Sequence, residues 1–292
     1  MAAKHRFLRM NKLLKRLFCL LVGGSCLVGC SSAMSQDGNT TYNYKTEEIY
    51  FNNGGKSVFG VLYRPEGEQG QWPLAVFSHG FGGSYRDGRD YAQTLAAKGY
   101  AVVCYDFCGG SNHSRSDGST TEMSIFTEEQ DLLAVVDSLK AMPFIDKEKI
   151  YLLGESQGGM VSALAAADRP DDFRSVMLMY PALCIPDNAV EWFGTADNIP
   201  DTYNLWGVRL GRVYFERLFG FDVFDHISRY QGPVLLVHGD RDGVVPLRYS
   251  QQAAERYANA ELHIIQGAGH GFGGKDFRQS LEYVVDFLNR ND

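Results

Sequence analysis

Residues 149–159 read Lys-Ile-Tyr-Leu-Leu-Gly-Glu-Ser-Gln-Gly-Gly, and they constrain this chain more than any other stretch. Ile150 to Leu153 is a short apolar run, which predicts a buried strand. It passes directly into Gly154-Glu155-Ser156-Gln157-Gly158, of the form G-x-S-x-G, and then into the small-residue, helix-forming run Met160 to Ala167. Strand, sharp turn and helix are the context a nucleophile elbow needs. Such a turn lifts Ser156 out of the sheet and aims the start of the next helix at it. An anion formed beside Ser156 would meet free N–H groups and the positive end of the helix.

The rest of the chain alternates strands and helices. Glu48–Phe51 and Val58–Tyr63 predict an antiparallel pair turning at Asn52-Asn-Gly-Gly55. Leu74–Phe77, Tyr100–Tyr105, Ser175–Met179, Pro233–Val237 and Glu261–Ile265 predict strands. Arg89–Lys98, Glu122–Met142, Leu247–Tyr257 and Asp276–Leu288 predict helices. This order implies an α/β fold with a mostly parallel sheet covered on both faces. Alternation breaks between Ala182 and Tyr230, where Trp192, Trp206, Tyr203 and Tyr214 fall; an irregular aromatic insertion of that length reads as a cap, at about residues 183–230.

The first thirty residues differ in kind. Lys4, Arg6, Arg9, Lys12, Lys15 and Arg16 stand without an acid, and Leu17 to Val28 is an apolar run too short for a confident membrane span. This is the pattern of an export signal over residues 1–29. Leu27-Val28-Gly29-Cys30 resembles a bacterial lipobox, which implies acylation of the Cys30 thiol and a membrane partner held through lipid. Residues 30–45 are expected to be a tether, and 46–292 the folded domain. The chain has 28 Lys and Arg, six of them in the leader, and 35 Asp and Glu. Without the leader the net charge is −13, a surface that repels nucleic acid. Of the later cysteines, Cys104 reads as a buried thiol, and Cys108 with Cys184 is a candidate disulfide. No zinc-type spacing is present.

A serine hydroxyl is a weak nucleophile until a base takes its proton. His5 leaves with the leader, while His226, His238 and His263 read as structural. His270 lies in Gly267-Ala-Gly-His-Gly-Phe272, just after the last strand, where the functional groups of such sheets collect. The base needs a carboxylate to fix its tautomer. His238-Gly-Asp-Arg-Asp242 ends the preceding strand and offers two. Asp242 is selected because it lies further into the loop, and Asp240 is expected to brace the turn. Ser78-His-Gly-Phe-Gly-Gly83 supplies a glycine-rich loop, whose Phe81 N–H is expected to hold an oxyanion together with that of Gln157. The signatures of phosphate-binding loops are absent.

With His79-Gly-Phe-Gly82, Gly154-Glu-Ser-Gln-Gly158, His238-Gly-Asp-Arg-Asp242 and Gly269-His270 in place, the chain resembles the α/β-hydrolase superfamily from about Ile49 to Leu288. Within it, the Gly-x-Ser-Gln-Gly-Gly elbow, Asp106-Phe107 and Pro181-Ala182 are similar to those of bacterial cinnamoyl (feruloyl) esterases. The resemblance implies a serine ester hydrolase with an acyl-enzyme, a small-molecule ester as substrate and no cofactor. It also implies a cap tyrosine over the acyl pocket, matched by Tyr214, and an acidic cap residue for a phenolic hydroxyl, for which Asp187 is the nearest candidate. Two other expectations stand beside it: a peptidase of the related prolyl-oligopeptidase type, and a non-catalytic binding protein on the same scaffold.

Overall fold

The computed structural model describes residues 40–67 and 70–292. The expected export signal, Cys30 and most of the expected tether lie outside the described residues. Ten strands and eight α-helices follow in chain order among the described residues: β1 (Tyr44–Asn53), β2 (Lys56–Pro65), β3 (Trp72–Ser78), α1 (Arg89–Ala97), β4 (Ala101–Tyr105), α2 (Ile125–Lys140), β5 (Ile145–Glu155), α3 (Ser156–Asp168), β6 (Ser175–Met179), α4 (Ile185–Phe193), β7 (Thr202–Leu205), β8 (Val208–Gly211), α5 (Val213–Glu216), α6 (Val223–Ile227), β9 (Val234–Gly239), α7 (Arg248–Arg256), β10 (Ala260–Ile265) and α8 (Gly274–Asn291). Eight strands form one sheet in the order β1-β2-β4-β3-β5-β6-β9-β10. β1, β2 and β4 pair antiparallel, and every later pairing is parallel.

The parallel strands are apolar on both faces because both faces are covered. Leu74, Val76, Ile150, Leu152, Val176, Leu178, Val234 and Leu236 share one core with α2, α3, α7 and the cap. The alternate residues Ala75, Phe77, Tyr151, Leu153, Met177, Met179, Leu235 and Val237 share another with α1 and α8. Strand alternation thus divides one sheet between two cores.

Several boundaries move for local reasons. α2 starts at Ile125 rather than Glu122, because Ser124 caps it. The Ser124 hydroxyl accepts the Thr127 N–H at 3.2 Å, and the Thr127 hydroxyl accepts the Ser124 N–H at 2.8 Å. β5 begins five residues earlier than its apolar run, as Ile145 pairs with Trp72. The folded unit also reaches into the expected tether. Tyr44 is already paired in β1, the Tyr42 N–H donates to Ala97 O at 2.8 Å, and the Tyr42 ring meets Trp72 edge-on at 5.1 Å.

The insertion is more regular than its sequence. β7 and β8 form a hairpin whose tip residues, Trp206 and Gly207, have φ of 52° and 91°. A turn with both central residues left-handed matches the twist of the strands it joins. Trp192, Phe193, Tyr203 and Phe215 pack into one aromatic cluster behind it. The candidate disulfide is absent. Cys104, Cys108 and Cys184 are all buried free thiols, with Cys108 turned towards Ser57 O of β2 and Cys184 towards Asn188 of α4.

Candidate active site

Parallel strands carry the site at their C-terminal ends, where β5 runs into α3 with no intervening residue. Ser156 is the first residue of that helix and takes φ of 50°, in the left-handed region. This conformation is costly for a residue with a Cβ, and is kept only where packing over-determines it. The packing is visible at Gly158. A Cβ there would stand 2.2 Å from Ser78 O and 2.4 Å from His79 O, so helix and β3 approach as closely as backbone allows. Gly80 lies on the other side of the serine, at a position where a Cβ would be 3.3 Å from Ser156 Cβ.

The structure brings Ser156, His270 and Asp242 into line. Ser156 Oγ is 2.9 Å from His270 Nε2, and His270 Nδ1 is 2.8 Å from Asp242 Oδ2. Asp242 Oδ1 accepts the N–H groups of Val244 and Val245 at 2.8 and 2.9 Å. Burial opposes the charge on Asp242. Hydrogen bonding to His238 and His270 outweighs it and holds the carboxyl well below its ordinary range. Nδ1 of His270, facing this carboxylate, carries the hydrogen, which leaves Nε2 free to accept the serine proton. Asp240, the alternative, accepts the Gly267 N–H at 2.6 Å and braces the two loops at their base.

The loop after β3 is fixed by His79, whose pKa burial pushes down. Neutral, it donates from Nδ1 to Gly80 O at 2.7 Å and accepts the Phe107 N–H at Nε2, 3.3 Å away. The Gln157 N–H directly follows the serine in sequence, and the Phe81 N–H follows Gly80, where a Cβ would stand 3.3 Å from Ser156 Cβ. Among the described residues neither donates to a protein acceptor. Gln157 N–H also belongs to the first turn of α3, whose amides have no partners within the helix.

Tyr214 and Asp187, the two expected substrate contacts, both make hydrogen bonds within the protein. Tyr214 is buried, and its hydroxyl donates to Gln157 Oε1 at 2.6 Å, while Gln157 Nε2 donates to Glu128 Oε2 at 2.7 Å. The hydroxyl of the tyrosine expected over the acyl pocket is therefore taken up inside the protein. The Tyr214 ring still meets Phe81 edge-on at 6.2 Å, and Trp206 meets Phe81 at 5.8 Å. Trp206 is 47% exposed at the hairpin tip. Asp187 accepts the Tyr249 hydroxyl at 2.7 Å on the exposed side of α4.

Three residues around the Ser156–His270–Asp242 line make contacts that the sequence does not announce. Tyr180, at φ of 38°, lays its ring against His270 at 4.9 Å and Phe272 at 4.7 Å. Burial, with the Asp87 charge adding to it, raises Glu155 to about 8. His238 touches Asp242, with Nε2 3.3 Å from Oδ2. Position at the end of a central strand was the available signal for all three.

A model of the prolyl oligopeptidase family matches residues 88–291, most of the folded unit. The chain belongs to the prolyl oligopeptidase family. This family member has the α/β-hydrolase fold and is a hydrolase of the serine type. Its structure is similar to that of Est1E from Butyrivibrio proteoclasticus with ferulic acid bound. The two are 31% identical with a TM-score of 0.76, over 83% of this chain and 98% of that one. In sequence it is 29% identical to the putative carbamate hydrolase RutD of Pseudomonas savastanoi pv. phaseolicola over 260 residues, 74% of this chain and 94% of that protein. It is 23% identical to human monoacylglycerol lipase ABHD6 over 274 residues, 79% of each chain.

Proposed function

We propose that this protein hydrolyses carboxylic esters through an acyl-enzyme on Ser156, with small aromatic acyl groups of the hydroxycinnamoyl kind among its substrates. The reading rests above all on the continuous contact from Ser156 Oγ through His270 to Asp242, at 2.9 and 2.8 Å. His270 Nε2 takes the serine proton as Oγ attacks the ester carbonyl. The N–H groups of Phe81 and Gln157 receive the tetrahedral oxyanion, a contribution typically of about 3 kcal/mol for each donor. The imidazolium protonates the departing alcohol, and water, deprotonated by the same histidine, releases the acid. The acyl preference is supported by Phe81 and the exposed Trp206 beside the oxyanion donors, and by the likeness to Est1E with its bound ferulic acid. From sequence alone, the protein is exported and held at a membrane by lipid on Cys30.

Labelling by a fluorophosphonate tests the core of the reading: wild type should react and Ser156→Ala should not. Equal labelling of both, or ester hydrolysis retained by Ser156→Ala, would sink it. The family match favours a second reading, a peptidase acting on peptide amides. Turnover of feruloyl and aryl acetyl esters beside aminoacyl amides separates the two. Faster cleavage of the amides would replace the esterase reading.

A further inference from the structure

His238, near the end of β9, is fully buried and belongs to no step of that mechanism. Its ring meets three groups. Nδ1 lies 2.6 Å from Ser250 Oγ in α7, and Nε2 lies 3.0 Å from Val245 O and 3.3 Å from Asp242 Oδ2. A carbonyl and a carboxylate are acceptors only, so Nε2 carries a hydrogen. The Ser250 hydroxyl is then free to donate to Nδ1. The contacts close a ring. Nε2–H donates to Val245 O, the Val245 N–H donates to Asp242 Oδ1 at 2.9 Å, and Nε2 returns to Oδ2 at the longer distance. Oδ2 is also the oxygen that accepts His270 Nδ1–H. Two imidazoles therefore converge on one carboxylate oxygen.

We propose that His238 is a positioning residue for Asp242, which fixes the plane of the carboxylate and moderates how strongly it stabilises protonated His270. The proposal rests on the Ser156–His270–Asp242 reading of the site. A second N–H near Oδ2 draws charge from the oxygen that His270 faces, so the imidazolium is held less tightly than by a carboxylate with His270 as its single partner there. The low pKa of Asp242 agrees: burial raises it, and hydrogen bonding to His238 is the first of the influences that pull it down. The titratable groups facing this carboxylate are His238 from β9, His270 from the loop after β10, and the buried Cys184 thiol beside α4. Burial first, and then partly the charge on Asp242, pushes that thiol up to about 11.

The test is the pH dependence of kcat/KM for p-nitrophenyl acetate, measured on the full chain as wild type, His238→Asn and His238→Gln. Asn reaches only the Nδ1 side of the ring, whereas Gln places an N–H near Nε2. Loss of that donor should move the acidic limb of the profile upward by about 0.5 to 1 pH unit. His238→Gln should return it to the wild-type position, and fluorophosphonate should label Ser156 in all three. A limb that stays put in His238→Asn, with or without a fall in plateau rate, overturns the proposal and leaves His238 a packing residue. If His238→Asn does not fold, Ser250→Ala serves instead. It frees the ring while keeping Nε2–H, and a smaller upward shift is expected; an unmoved limb again overturns the proposal. A wild-type protein that takes no label at all would fail the underlying triad reading instead.

Discussion

Replacing Asp242 by Asn exchanges one oxygen for an amino group and leaves the shape of the side chain intact. The structure shows why this should be severe. Oδ1 faces the N–H groups of Val244 and Val245, and Oδ2 faces His270 Nδ1 with His238 Nε2 behind it. Every neighbour is a donor, so the new amino group meets donors whichever way the amide turns. Turned towards the backbone it would strand the part-buried N–H groups of Val244 and Val245, at up to about 1–3 kcal/mol each. It therefore turns towards His270, which must offer a bare Nδ1 and carry its hydrogen on Nε2. That nitrogen can then no longer accept the Ser156 proton. The corresponding change in a Ser-His-Asp protease lowers turnover about ten-thousand-fold, which is about 5.5 kcal/mol in the barrier at 1.36 kcal/mol per decade. Asp240→Asn keeps the carbonyl oxygen that accepts the Gly267 N–H, at an exposed position, and should change the rate by no more than about two- to threefold. Initial rates on p-nitrophenyl acetate at pH 8, normalised by active-site labelling and accompanied by melting curves, compare the two. If Asp242→Asn kept more than about a tenth of wild-type activity, or Asp240→Asn fell further, the wrong carboxylate would have been assigned.

Gly158→Ala should cost both stability and turnover, because its Cβ would meet Ser78 O at 2.2 Å and must push α3 away from the loop that carries Phe81. A loss of about a hundredfold in kcat is expected; an active variant with an unchanged melting temperature would contradict it. Tyr214→Phe leaves the Gln157 carbonyl without its donor. The melting temperature should fall while KM for small acetyl esters holds, and a rise in KM at unchanged stability would mean that the hydroxyl serves substrate rather than Gln157. Glu129 is raised to about 8 by burial and the charge on Asp168. The native state therefore keeps a proton that the unfolded chain releases above about 4.5. The stabilisation is complete below that value and disappears as pH climbs through 8. Urea unfolding at pH 6 and 9 should show a smaller decline for Glu129→Gln than for wild type, and equal declines would refute the shift.

The sheet was legible because its inner strands are continuous apolar runs between turn residues, and a strand sealed on both sides has little freedom to be anything else. Ser156, Asp242 and His270 could be read for a related reason: each follows a strand, Ser156 at a glycine-flanked turn straight into a helix and the other two in loops too rich in glycine or acid to be core. What escaped were pairings across long separations. Nothing local at Tyr214 announces Gln157, 57 residues away, and nothing in a buried strand reveals that His238 turns its Nε2 back to a residue four positions on. The β7–β8 hairpin was hidden by its own turn, since tryptophan is an unusual occupant of a left-handed position. The folded unit starts before residue 46 because Tyr44 pairs in β1 and Tyr42 packs on Trp72, neither of which a polar run of sequence announces.

Tyr42 packs where β3 and β4 begin, beside Trp72 and Gly99, whereas Ser156 stands where β5 ends. A seven-residue strand such as β3 separates those two rims by roughly 20 Å. The incoming polypeptide thus joins the domain at the rim remote from the reactive hydroxyl. Changes to the backbone at Tyr42 and β1 therefore act at the far end of the strands from Ser156 and reach it only through the sheet.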